Sequence, residues 1–246
     1  IASRRALHVV DVGANIGACA VGWALEGHFV TAVEPQPESA KLLNASMYWN
    51  RVERRLRIIE AGATVGGYSG HIVESCGNSA HSSVTPYEPS NTSVTCGSTQ
   101  VRMHSLAYLL AFQQPVRDRR SVDVIKIDVE GHETAVLCGA LPLLKRDRPA
   151  VIFEFVPEWL QKHDESWNFQ ENVNKYKLHC HEVLRGDGMF EFSALTLLKI
   201  FTVVDYAIYD VQLPSEGAAE WRLLPPSTFD QAVFTINLKH SAGSLS

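Results

Sequence analysis

The sequence predicts an α/β domain, a mostly parallel sheet with helices on both faces. Three observations carry this. Short apolar, β-branched runs alternate with helical patterns for about five rounds. A glycine-bearing turn, "DVGANIG" (11–17), joins the first run to the first helix. The second run stops at an acid, Glu34.

Element by element, Leu7 to Val12 reads as a buried strand, because it is short, apolar and closed by glycine. Residues 16 to 26 are small and apolar, with Gly27 placed as a C-cap, and form a closely packed helix. Phe29 to Glu34 is a second buried strand. Pro37 suits the first turn of a helix, along which Leu42, Leu43 and Met47 recur at helical spacing to Asn50. Leu56 to Ala61 is a third strand.

Residues 62–100 are rich in Gly, Ser, Thr and Asn and read as an irregular excursion, with short strands at His71–Val73 and Val94–Cys96. Alternation then resumes with a helix near 104–112, the strand "VDVIKIDV" (122–129), a helix near 132–145 and the strand "AVIFEF" (150–155). Residues 157–200, with Trp159, Trp167 and Phe169, suggest a lid or acceptor-site insertion. "YAIYDV" (206–211) and "AVFTINL" (232–238) read as a late antiparallel strand pair closing the sheet. The expectation is one domain spanning 1–246.

With 46% hydrophobic and 20% charged residues, 246 residues suffice for one substantial core. A net charge of -5, with no block of five like charges, gives no nucleic-acid footprint, and "RVERRLR" (51–57) and "RDRR" (117–120) read as solvated faces. No apolar run is long enough to span a bilayer. Five cysteines without metal spacing point to a reduced, cytoplasmic chain, although Cys76 and Cys96 are placed to pair and Asn44 and Asn91 begin sequons. A start at Ile1 leaves room for a removed N-terminal address. Nothing in the sequence speaks to oligomeric state.

In an open parallel sheet, ligands bind beyond the carboxyl ends of the strands. Asp11, Gly13, Asn15, Gly17 and Glu34 all fall there. A P-loop is excluded, since no Lys-Ser/Thr follows the glycines. A dinucleotide would use Glu34 for its ribose, but Asn15 replaces the glycine that admits a pyrophosphate, and Asp11 would repel one. At ~4 Å and an effective dielectric of ~20, two unit charges interact by roughly 4 kcal/mol. A cationic nucleoside, S-adenosylmethionine, matches both acids. An NAD-type oxidoreductase remains the alternative, and a glycine turn that only packs helix on strand is the bland one.

"DVGANIG", "AVEPQPES", "VDVIKIDVEGHETAVLCGA" and "PAVIFEF" together resemble the FkbM family of S-adenosylmethionine-dependent methyltransferases, over residues 8 to about 156. The resemblance implies a class I methyltransferase (Rossmann-like) sheet and, most often, methylation of a hydroxyl on a sugar or other natural product. Carried over by position, it assigns Asp11, Gly13, Asn15 and Gly17 to the glycine motif and Glu34 to the ribose. Asp128, Glu130, Gly131 and Glu133 form the second motif, and Ala63 of "GAT" (62–64) lies on the adenine side. At Leu106–Ala107 the family usually reads Leu-Asp, so a carboxylate is missing here.

Methyl transfer requires alignment of acceptor, methyl and sulfur, and removal of the acceptor's proton. Asp128, Glu130 and His132 stand at the ligand edge of the fourth strand of the sheet; His132 is a candidate base because imidazole titrates near neutrality, and helix capping is its plain alternative. Lys126 shares a strand face with Asp128 and is placed to keep the carboxylates ionised. Glu154, inside "IFEF", is a costly place for a charge without a partner and is expected to wall the acceptor site. Phe155 stands where metal-dependent relatives offer an oxygen ligand, so transfer without a metal is expected. His81, Ser82 and Ser83 read as surface loop. The implied partner is a small-molecule or glycan acceptor. A binding module that retains the cofactor pocket without transfer is the non-enzymatic alternative.

Overall fold

The computed structural model describes residues 5–75, 82–85, 95–112, 120–154, 197, 200–201, 204–212 and 220–224. Its centre is a sheet of five parallel strands in the order β3-β2-β1-β8-β9. These are β1 (His8–Val12), β2 (Phe29–Val33), β3 (Leu56–Ile59), β8 (Val124–Ile127) and β9 (Ala150–Phe153). The helices α1 (Ala18–Leu25), α2 (Pro37–Trp49), α3 (Leu106–Phe112) and α4 (Glu133–Asp147) follow in the expected order. Strand order reverses between β1 and β8, which creates a crevice at their carboxyl ends.

Side-chain alternation gives the sheet two apolar faces. Val9, Val30, Ala32 and Leu56 pack with Ala20, Ala24, Leu43 and Met47 of α1 and α2. Val10, Val12, Val33, Ile125 and Ile127 pack with Leu106 and Leu109 of α3 and with Val136, Leu137, Leu141 and Leu144 of α4. Truncating a fully buried side chain such as Ile125 or Leu144 costs about 2–5 kcal/mol in a core of this kind.

In the stretch expected to be irregular, 62–100, the described residues are largely β-structure. A second sheet has the order β4-β7-β5-β6, built from β4 (Gly62–Thr64), β5 (Tyr68–Ser75), β6 (Ser82–Thr85) and β7 (Thr95–Ser105). Its described core is small, Ile72, Val101 and Met103, so few apolar residues were present to reveal its period. Ser82 and Ser83 belong to β6 rather than to a loop, and His81 lies outside the described residues. Helix α4 is wedged between the two sheets, which is why Glu133 to Ala140 are all buried. Gly139 permits the approach: a Cβ there would stand 1.9 Å from the Thr64 carbonyl oxygen.

The late antiparallel pair is present, but it is β10 (Ile208–Gln212) with β11 (Glu220–Leu224). The expected partner, 232–238, lies outside the described residues, as does nearly all of 157–200. Among the described residues the pair stands as its own two-stranded sheet and does not extend the parallel one. β11, "EWRLL", was passed over because alternate charges hide a strand from a search for buried runs.

The departure at Ala107 is accommodated locally. Ser105 Oγ accepts the Tyr108 N–H at 3.2 Å, so the start of α3 is capped without the missing carboxylate. Cys19 is free and exposed, whereas Cys138, buried on α4, is disulfide-bonded. No helix among the described residues is long and apolar enough to cross a membrane.

Candidate active site

The crevice at the switch point opens into a cavity of about 400 Å³. Its wall brings together four segments: Asp11 to Asn15 at the end of β1 and in the turn after it, Glu34 to Gln36 after β2, Gly62 and Ala63 in β4, and Asp128, Val129, Glu130 and His132 after β8. Of the sequence candidates, Asp11, Gly13, Asn15, Glu34, Ala63, Asp128, Glu130 and His132 all line it.

The first turn is built by left-handed backbone. Gly13, Asn15 and Gly17 have φ of 76°, 51° and 94°. Asparagine tolerates that region better than other side chains, which is how Asn15 occupies a place where dinucleotide-binding turns carry glycine. Gly13 is required for a second reason, since a Cβ there would meet the Asp128 carbonyl oxygen at 1.9 Å. Gly17 precedes α1 as its N-cap; it borders the cavity without lining it.

Glu34 is 6% exposed and fastens the turn. Its Oε2 accepts the Asn15 N–H at 2.8 Å and its Oε1 the Gln36 N–H at 2.9 Å. Burial pushes its carboxyl above the ordinary range, and the two amides pull it partly back. Each oxygen still has a lone pair for a ligand hydroxyl.

Asp11 is fully buried, and neither carboxylate oxygen has a well-formed hydrogen bond. Its register partner on β8 is Lys126, so the two side chains share one face of the sheet. Lys126 Nζ stands 3.3 Å from Asp11 and 3.0 Å from Asp128. The Asp11 contact is thus an ion pair without hydrogen-bond geometry. Burial raises the Asp11 carboxyl above its ordinary range, and Lys126 opposes the shift. Burial alone would lower Lys126, but the two carboxylates outweigh it and hold the ammonium cationic.

The second turn is clamped from within α4. Glu133, 3% exposed, accepts the Val129 N–H at 3.2 Å and the Gly131 N–H at 3.3 Å through Oε1. Burial drives its carboxyl up to about 7, against the pull of these amides. Glu130 and Gly131 follow each other in left-handed conformation, φ 53° and 97°. This turns Glu130 toward the cavity. Glu133 therefore holds the loop rather than serving only as a first-turn acid.

His132 is 9% exposed and lines the cavity, but its Nε2 is engaged by Thr64 Oγ1 at 3.1 Å. The ring ties α4 to β4. Glu154 follows β9 at the same sheet edge, half-buried, and does not line this cavity. The wall is completed by residues that motif reading missed: Cys19, Ser39, Ile72 and Met103. Ile72 and Met103 come from the second sheet, whose sequence carried no signal for a site. Gln36 and Ser39, joined by a 2.9 Å hydrogen bond, follow the Glu34 motif closely enough to have been found.

A parallel sheet with this order, a glycine turn and two buried acids at its switch point define an α/β domain with a ligand crevice at the carboxyl ends of its strands. Residues 11–179 match the family profile described as "Methyltransferase FkbM domain". The chain belongs to the FkbM methyltransferase family, and its sheet is of the class I methyltransferase type. Among solved structures it is similar to the methyltransferase FkbM from Methylobacillus flagellatus KT, at 15% identity and TM-score 0.41, over 70% of this chain and 38% of that one. It thus spans well under half of that protein's length. It is also similar to an O-methyltransferase from Bacillus cereus in complex with SAH, at 13% identity and TM-score 0.41, over 89% and 71% of the two chains. For precorrin-6y C5,15-methyltransferase from Geobacter metallireducens GS-15 the values are 8%, 0.38, 90% and 77%. None of these three is similar enough to carry an inference. No curated protein matches the chain.

Proposed function

We propose that the cavity binds S-adenosylmethionine and that the chain transfers its methyl group to a hydroxyl oxygen of a glycan or other small molecule. The observation that carries this is the pair of buried acids in the cavity wall, Asp11 and Glu34. Asp11 makes no well-formed hydrogen bond, and its cation, Lys126 Nζ at 3.3 Å, is shared with Asp128. Acids outnumber bases around the cavity, which favours a cationic ligand over a pyrophosphate.

When bound, S-adenosylmethionine supplies a methyl activated by its sulfonium. The chain's own groups do the rest. Glu34 offers its spare lone pairs to the ribose hydroxyls, and Ala63, Ile72 and Met103 form an apolar wall on the adenine side. Asp128 and Glu130, on the clamped turn, face the acceptor edge and take the hydroxyl proton. Lys126 Nζ, 3.0 Å from Asp128, holds that carboxylate in place. His132, held by Thr64, orients the loop at the acceptor edge. Glu154, outside the cavity wall, contributes to acceptor placement only if the acceptor extends along β9.

Thermal shift with S-adenosylhomocysteine against NAD tests the cofactor. Stabilisation by the former alone is expected, and stabilisation by NAD alone sinks the reading. Methyl release on a panel of carbohydrate, polyketide and peptide acceptors then tests transfer. Binding without release on any of them makes the chain a binding module.

A further inference from the structure

The two basic stretches that read as separate solvated faces meet in space. Arg54, Arg55 and Arg57, at the start of β3, and Arg120, before β8, line one groove of about 530 Å³. The groove also takes in His8, Phe29 and Thr31, which lie in the first halves of β1 and β2, whereas the cofactor cavity takes Val12 and Val33 from their last residues. At about 3.3 Å per residue, His8 and Val12 are roughly 13 Å apart along the strand. The groove is therefore at the opposite end of the sheet from the candidate active site.

Its charge and its order both point to an anion. Four arginines face one acid, Glu53, in a chain whose net charge is -5. Arg54, Arg55 and Arg120 form no ion pair among the described residues. Phe29 fixes two of the guanidinium groups, with Arg120 Cζ 3.7 Å and Arg55 Cζ 5.0 Å from its ring centroid. Arg55 Nη1 also donates to the Gly27 carbonyl at 2.6 Å. Like charges held this close repel, and stacking on an aromatic ring sets the planar forks in place without neutralising them. His8, 5% exposed, adds a polar wall and is itself bound through Nε2 to Thr31 Oγ1 at 3.0 Å.

We propose that this groove is a second ligand site, for a small molecule bearing a phosphate or pyrophosphate group. Guanidinium forks match phosphate oxygens in pairs, and a wall with three positive charges in excess suits a di- or polyanion over a single carboxylate. The volume admits a small molecule. A ligand here lies a strand's length from the cofactor cavity, so it is not the group being methylated; it acts as an effector or as a distant anchor.

Isothermal titration with inorganic pyrophosphate in low-salt buffer tests this on the chain as it stands, with folding followed independently by a thermal melt. The wild type is expected to bind at one site. Arg54→Ala and Arg120→Ala are each expected to weaken binding about tenfold, as loss of a charge-assisted contact does. Arg120→Lys, which keeps the charge and loses the fork, falls between. Glu34→Ala leaves pyrophosphate binding unchanged. The proposal is overturned by three results: no binding at low salt, equal affinity in the Arg54→Ala/Arg120→Ala double variant, or binding of an RNA or heparin oligomer with no binding of pyrophosphate. The last would mark an extended electrostatic surface. None of these outcomes depends on what occupies the cavity at Asp11.

Discussion

Glu133→Gln isolates the cost of the clamp that shapes the second turn. The wild-type carboxyl is buried, accepts the Val129 and Gly131 amides, and titrates at about 7 instead of its ordinary 4.5. Its folded-state value is raised, so the stability it contributes is complete below about 4.5 and is lost as pH rises through about 7. The gap, at about 1.4 kcal/mol per pH unit, amounts to roughly 3 kcal/mol. Glutamine has the shape of the protonated acid, still accepts both amides and never ionises. The variant is therefore expected to match the wild type near pH 4.5 and to exceed it by up to about 3 kcal/mol at pH 8. For a chain of this size that is about 6–12 °C in Tm. Thermal melts of both proteins from pH 4.5 to 8 measure the difference directly. A difference that stays flat across that range, or that grows toward acid, refutes the reasoning.

Glu34→Ala removes the proposed ribose acceptor and the anchor of the Asn15 and Gln36 amides together, and is expected to weaken S-adenosylhomocysteine binding by about ten- to a hundredfold, more than Asp128→Ala does. Titration calorimetry on both variants checks the order; the reverse order means that the ribose lies elsewhere. Lys126→Met leaves Asp11 buried without its cation and is expected to cost about 3–5 kcal/mol at pH 8. Because the unpaired Asp11 then gains stability by taking a proton, the deficit shrinks toward pH 5, as denaturant titration at the two pH values would report. Ser105→Ala removes the cap of α3 and is expected to cost about 1 kcal/mol in the same assay, with cofactor binding intact.

The parallel sheet was legible because its strands are what the signal detects. β1, β2 and β8 are short, rich in β-branched residues and largely buried, and each ends at a glycine or an acid within a residue or two of the expected place. One wall of the cavity was legible for a related reason: Asp11, Gly13, Asn15 and Glu34 stand at strand ends and turns that are local in sequence. What could not be read were contacts between distant segments. His132 meets Thr64 across 68 residues, and no local pattern ties them. Ile72 and Met103 stand in strands broken by glycine, serine and threonine, where one small apolar cluster replaces a periodic face. Around Glu154, "IFEF" reads as deeply buried, whereas the end of β9 is half-exposed because it is the edge strand of the sheet.

The contact at Gly13 reaches beyond packing. With no room for even one carbon between that glycine and the Asp128 carbonyl, the turn after β1 and the turn after β8 cannot shift independently. On the proposed reading, donor and acceptor sides are machined as one piece, so a change in acceptor cannot be made by re-aiming Asp128 without loosening the grip on the methyl donor. Variation in the acceptor is pushed off these two turns, onto residues that touch neither of them. A family that keeps one donor and changes its acceptors would be expected to conserve both turns and rewrite what surrounds them.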